Sequence, residues 1–162
     1  MSAPASMLEM FSVESVLTDL SSVVKADVIR EMVQCAVKGG RLPKTRVQQV
    51  VDAILAREER GSTGLGKSIA IPHAKLHELD RLYGLFARLA QPIDFDAIDD
   101  APVDLLFLLL APESAGADHL KALARVSRLL RDKAMCAKLR GADNPDALFA
   151  LLIEPLPNHT AA

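Results

Sequence analysis

The chain has 162 residues, 50% of them hydrophobic and 25% charged, a size and balance that fit one globular domain with a full core. Its formal charge of -2 and sequence pI of about 6.1 leave no basic excess for long contacts with a phosphate backbone, so nucleic acid is not an expected partner. Cys35 and Cys136 stand far apart without C-x-x-C or Cys/His metal spacing, which argues for reduced, buried, inert thiols in a cytoplasmic setting.

The first ten residues, "MSAPASMLEM", have neither a basic start nor a long apolar run. They read as a flexible lead-in, residues 1–10, rather than a leader or anchor, and the domain proper is expected over residues 11–154. "KADVIREMVQCAVKGG" sets Val28, Ile29, Met32, Ala36 and Val37 near one face at helical spacing and stops at Gly39-Gly40. A second helix follows in "TRVQQVVDAILAREERG", with Val47, Val50, Val51, Ile54 and Leu55 inward, Thr45 as candidate cap and Gly61 as stop.

Next comes "GSTGLGKS", Gly61 to Ser68, a letter-for-letter match to the phosphate-loop pattern G-x-x-x-x-G-K-[ST]. A phosphate loop needs a strand before it and a helix after it, because the amides of a helix N-terminus hold the phosphates. Here a helix precedes the glycines, and "SIAIPHAKL" after them reads as a strand followed by a turn at Pro72. A small nucleotide-binding protein therefore remains only as the alternative from another class. The apolar run that would serve as its magnesium strand ends in Ala-Pro-Glu instead of an aspartate.

"RLYGLFARL" and "VDLLFLLLA" read as two further strands, separated by an exposed loop in "AQPIDFDAIDDAP". The run from Leu105 to Ala111 is a buried strand, far short of the roughly 20 residues that cross a bilayer, so no membrane insertion is expected. "AGADHLKALARVSRLLRD" is expected as a helix with Leu120, Leu123, Ala124, Val126, Ser127 and Leu130 near one face and Asp118 at its start. "KAMCAKLRG" and "NPDALFALLIE" follow as helices, the last with Pro145 in its first turn, and residues 155–162 form a tail.

His73 stands out chemically. It is read at the end of a strand, behind a stiffening proline, after a stretch rich in amides and hydroxyls. A neutral imidazole there has a lone pair that can attack phosphorus, bind a metal or take a proton. Arg57, at the end of the second helix, offers a guanidinium to an oxyanion, although a helix-end arginine also suits the dipole on its own. His119 lies in a first turn, where the dipole favours the neutral ring; taken alone it reads as exposed. His77 follows His73 by four residues outside any helix, and no H-E-x-x-H is present, so a metal is not expected.

Together, "REERGSTGLGKSIAIPHAKL", "QPIDFDAIDDAPVDLLFLLLAPE" and "HLKAL" resemble the enzyme IIA domain of the bacterial phosphotransferase system, fructose/mannitol type, and within it the nitrogen-regulatory branch. The resemblance runs from about Phe11 to Ile153. It implies a single α/β domain with a mixed β-sheet flanked by helices, and a phosphocarrier that works without cofactor or metal. His73 corresponds to the histidine phosphorylated by an HPr-like carrier, Arg57 to the arginine beside the phosphate, and His119 to the second active-site histidine. Ser62, Thr63 and Gly64 fall on the phosphate-binding stretch. The family further implies target proteins, such as transporters or sensor kinases, regulated through the phosphorylation state. Lys67 and Ser68 stand where relatives vary, and Ala74 replaces a glycine common in the nitrogen branch. A sugar-specific IIA passing phosphate to a IIB domain is the alternative within the family. Transfer also calls for an apolar docking surface, for which Ile71, Pro72 and Leu65 are candidates.

Overall fold

The computed structural model describes residues 10–77 and 79–153. Six strands form one mixed sheet: β1 (Val16–Leu20), β2 (Gly64–Gly66), β3 (Ile69–Ala70), β4 (His73–Leu76), β5 (Tyr83–Ile93) and β6 (Val103–Pro112). Their order is β1-β5-β6-β3-β2, with β4 also paired to β6. β1 runs parallel to β5, β3 and β4 parallel to β6, and the β5–β6 and β2–β3 pairs are antiparallel. The helices are α1 (Lys25–Lys38), α2 (Val47–Glu59), α3 (Ala117–Arg131), α4 (Lys133–Gly141) and α5 (Pro145–Ile153).

β6 explains the layering. Its Leu106, Leu108 and Leu110 join Val28, Ile29 and Met32 of α1 and Val50, Val51 and Ile54 of α2 in one core. Its Leu105, Phe107 and Leu109 face the other way, into Ala122, Val126 and Leu129 of α3, Leu139 of α4 and Leu148 and Leu152 of α5. A strand covered on both faces needs no polar alternation, hence the unbroken run of leucines. No helix among the described residues is long and apolar enough to cross a membrane.

Several expectations change. Thr45 does not cap α2: it lies inside a 3-10 turn, Lys44–Arg46, and the N-cap Arg46 makes no side-chain cap bond. The turn's own carbonyls take up the first amides, which removes the need for a hydroxyl. β5 continues through Gln91 and Pro92 to Ile93, beyond the expected start of the loop. Its ladder to β6 is irregular between Arg88 and Ile93, where a proline without an N–H is tolerated. On α3 the buried stripe is His119, Ala122, Val126, Leu129 and Leu130, whereas Leu120 is 66% exposed and Ala124 is exposed. That stripe keeps the i, i+3, i+4 spacing but begins at a histidine, so hydropathy alone rotates the helix the wrong way.

β1 and β2 are strands without a sequence signal, one short and irregular, the other mostly glycine. Pro145 does open α5, with the Asn144 side chain accepting from the Ala147 amide at 2.8 Å. Cys136 is buried, but Cys35 is only half-buried because its thiol reaches out to the Glu14 carbonyl at 3.3 Å. Burial pushes both thiols above their ordinary pKa. The expected lead-in over 1–10, apart from Met10, and the tail over 155–162 lie outside the described residues.

Candidate functional site

The site is built on an interruption in a strand. β3 pairs Ile69 with Leu105, and β4 pairs His73 with Leu109, the same 36-residue offset on both sides of Ile71-Pro72. The chain thus keeps its register along β6 while Pro72, lacking an N–H, breaks the ladder. Ile71 turns its amide to the Thr63 carbonyl at 3.1 Å, and Pro72 offers its carbonyl to the Leu109 amide at 3.0 Å. His73 therefore begins a strand, β4, where the sequence reading had it ending one. The difference follows from Pro72 dividing the ladder before the histidine and not after it.

The freed Ile71 carbonyl lies 2.8 Å from His73 Nδ1. A carbonyl can only accept, so in the neutral ring Nδ1 carries the proton and Nε2 keeps its lone pair. Burial holds the His73 pKa below its ordinary value, opposed by the Ile71 bond; Arg57 pushes it further down and Glu58 pushes it up.

His119, far from exposed, is 5% exposed in the first turn of α3, and its ring centroid lies 5.6 Å from that of His73 at an interplanar angle of 56°. α3 packs against the face of β6 that His73 shares, which draws its first turn over β4. Burial depresses the His119 pKa, with His73 and Lys75 adding to the effect. Its Nδ1 is buried without a hydrogen-bond partner among the described residues, an arrangement that invites an explanation beyond folding.

Arg57, in the last turn of α2, donates from Nη1 to the Gly61 carbonyl at 2.8 Å, one bond from a side chain with five N–H donors. Next to it is a residue without a role in the sequence reading, Glu58, 6% exposed. Its carboxylate accepts from the Thr63 amide at 3.2 Å to each oxygen, from the Thr63 hydroxyl, and from Lys25 Nζ at 2.9 Å. Ser62 Oγ donates to the Phe95 carbonyl at 2.7 Å and accepts from the Gly64 amide at 3.0 Å. The hydroxyls of Ser62 and Thr63 and the amides of Thr63 and Gly64 are thus engaged within the protein, and meeting a phosphate with them requires exchange of those bonds. Only a carboxylate directly following the arginine hinted at this network.

The phosphate-loop match resolves into a hairpin. Gly64–Gly66 is strand β2, and Lys67 and Ser68, at φ 59° and 70°, form the two-residue turn to β3. The Lys67 amide donates to Asp99 Oδ2 at 2.9 Å. Strand, turn and strand replace the strand, loop and helix of a nucleotide site.

His77 stands apart, exposed and 3.1 Å from Glu113 Oε1. Of the expected docking side chains, Ile71 and Pro72 are buried and Leu65 is partly so, because the strand interruption lies beneath the helices. Leu120, next to His119 in the chain, is an exposed apolar side chain.

The chain and its mixed-sheet fold have counterparts among known proteins. Residues 9–154 match the family described as "Phosphoenolpyruvate-dependent sugar phosphotransferase system, EIIA 2". The chain belongs to that EIIA family. A "Nitrogen regulatory protein" from Bradyrhizobium diazoefficiens is 47% identical, over 92% of this chain and 94% of that protein. The solved nitrogen regulatory protein IIA-Ntr from Neisseria meningitidis superposes with a TM-score of 0.82 at 30% identity, covering 89% of this chain and 97% of that one. A "PTS system fructose-specific EIIA component" from Haloferax volcanii is 37% identical over 91% of each chain. This EIIA chain therefore sits among relatives with nitrogen-regulatory names, with sugar-specific ones also in reach.

Proposed function

We propose that the chain is a nitrogen-regulatory phosphocarrier: His73 accepts a phosphoryl group from an HPr-like phosphohistidine carrier, and the phosphorylation state governs partner proteins. The observation that carries this reading is the bond from His73 Nδ1 to the Ile71 carbonyl, which makes Nε2 the nucleophile. In the reaction Nε2 attacks phosphorus in line, the bond from phosphorus to the donor nitrogen breaks, and the donor imidazole leaves with its electron pair. The proton stays on Nδ1, hydrogen-bonded to the Ile71 carbonyl, throughout. A transfer between two imidazoles needs positioning and stabilisation of the phosphoryl oxygens, and no nucleotide or metal.

Arg57 supplies a cation beside His73, and His119, held neutral, supplies a ring nitrogen whose proton can meet a phosphoryl oxygen. The partnerless Nδ1 of His119 fits a group kept in reserve for the phosphorylated state. Ser62 and Gly64 meet the phosphate by exchanging the internal bonds described above, while Thr63 stays bound to Glu58. Leu120 contributes to a small, transient docking surface for the carrier.

The test is incubation of the full chain with phosphoenolpyruvate, enzyme I and an HPr-like carrier, followed by intact-mass and peptide mass spectrometry. An acid-labile phosphoryl group on the peptide holding His73 is expected, and no label, or label on Ser62, ends the proposal. The likeness to a fructose-specific EIIA component favours one second reading, onward transfer to a IIB domain. Rapid loss of the label to an added fructose-type IIB would select it.

A further inference from the structure

Glu58 is a buried carboxylate that the phosphoryl chemistry above does not use. Every link around it is made: Lys25 Nζ at 2.9 Å, both Thr63 donors, and a Lys25 ammonium that also lies 4.3 Å over the Phe95 ring and 3.4 Å from the Phe95 carbonyl. A buried charge is tolerated only when paired and hydrogen-bonded in this way. From it a continuous path leads to the candidate acceptor. Glu58 holds the Thr63 amide and hydroxyl, the Thr63 carbonyl accepts from the Ile71 amide at 3.1 Å, and the Ile71 carbonyl accepts from His73 Nδ1 at 2.8 Å.

We propose that Glu58, charge-balanced by Lys25, is a positioning residue for His73: by clamping Thr63 it fixes the Ile71 peptide, whose carbonyl in turn selects the Nδ1–H form of the imidazole and reserves Nε2 for phosphorus. Its functional meaning rests on His73 being the acceptor; its structural content does not. Ile71 itself has no register partner on β6 and its amide goes to the Thr63 carbonyl instead, so the orientation of its backbone depends on Thr63. If Thr63 shifts, the carbonyl on the far side of the Ile71 residue loses its aim at the ring. The charged and titratable groups facing His73 are Arg57 and Glu58 from α2 and His119 from α3, with Lys75 beyond His119.

The experiment is long-range 1H–15N NMR on the full chain labelled at histidine nitrogens, for wild type, Glu58→Gln and Thr63→Val, alongside single-turnover transfer from the phosphorylated HPr-like carrier. Wild type is expected to show His73 protonated at Nδ1 when neutral. Glu58→Gln is expected to mix the two neutral forms, lower the His73 titration midpoint and slow transfer by about tenfold. The midpoint falls because a favourable anion and the Ile71 bond are weakened together. Thr63→Val, which keeps the backbone link, should move all three in the same direction by less. Wild-type protonation and midpoint in both variants, whatever their melting temperatures, would overturn the proposal and leave a structural ion pair. Should Glu58→Gln fail to fold, Thr63→Val decides alone. The NMR readout needs no phosphoryl donor, so an unphosphorylatable wild type would remove the functional reading while leaving the clamp standing or fallen by itself.

Discussion

The glycine segment holds two regions that look alike in sequence and behave differently. Gly61–Gly64 is tied inward: Thr63 is clamped by a buried carboxylate, and its carbonyl is one residue's reach from the peptide that holds His73. Gly66–Ser68 turns β2 into β3, with the Lys67 amide tied outward to Asp99 on an exposed loop and the Ser68 carbonyl taken by the Asp104 and Leu105 amides of β6. The lesson is that a glycine-rich string acquires chemistry from what its backbone groups are bound to. The half that matches a nucleotide motif most sharply, Lys67-Ser68, is the half without a link to the histidines.

The strongest break in this comparison is His73→Ala, which should abolish phosphoryl labelling while hairpin and loop remain folded. Intact-mass spectrometry checks the label, and an undiminished label on the variant would detach the inner region from the chemistry. The same residue sets the pH response. Because burial depresses its pKa from the ordinary 6.5, the neutral, attacking ring persists below that pH, and transfer should decline only as pH falls further, by about tenfold per unit. Single-turnover rates across pH would show it; a decline beginning above 6.5 would contradict the burial argument.

Arg57→Ala comes next. A charge-assisted bond to a phosphoryl oxygen contributes about 1.5–3 kcal/mol, so transfer should slow by roughly ten- to a hundredfold. Loss of the exposed bond to the Gly61 carbonyl should cost under about 1 kcal/mol of stability. Stopped-flow transfer paired with a denaturant melt separates the two, and a rate that merely follows stability would make Arg57 a helix-end tie.

How far the sequence discloses this site depends on where the signal resides. α1, α2 and the three C-terminal helices are legible because hydrophobic burial imprints helical periodicity on their residues, and β6 because burial on both faces leaves an unbroken apolar run. His73 is singled out as a candidate because Pro72 and the glycines mark a special backbone beside it, whereas Arg57 reads as a helix-end charge and takes its candidate role only from the family resemblance. The burial of His119 is not legible, since the contact with His73 arises only when α3 is laid across β6. Glu58 is hidden for a related reason: an acidic residue at a helix end reads as solvated until Lys25, from another helix, is seen to neutralise it. β2 is invisible because glycine has no side chain with which to report a strand.

Gly64→Ala tests the inner region through packing. A methyl there would sit 2.8 Å from Ala97 Cβ and 3.0 Å from its Cα, and because both belong to a short side chain and backbone they cannot swing away. The expected cost is about 1–3 kcal/mol, seen as a lowered Tm in calorimetry. An unchanged Tm would mean that the loop is free to move, and with it the clamp on Thr63.

The smallest effects belong to the outer turn. Lys67 is exposed, and its contact with Asp99 comes from the backbone amide, so Lys67→Ala should change stability by less than about 0.5 kcal/mol and leave transfer at the wild-type rate. Lys67→Gly sharpens the point. At φ 59° a lysine carries a steric penalty that glycine does not, and removing it should stabilise the hairpin by a fraction of the roughly 1–2 kcal/mol that the left-handed region costs other residues. A phosphate-loop lysine would behave in the opposite way, since its loss would cost nucleotide affinity whichever residue replaced it. Calorimetric titration with ATP beside thermal melts distinguishes these cases: a higher Tm for Lys67→Gly with no ATP heat in wild type upholds the hairpin, whereas ATP binding that both substitutions remove would make Gly61–Ser68 a nucleotide site and dissolve the contrast between its two halves.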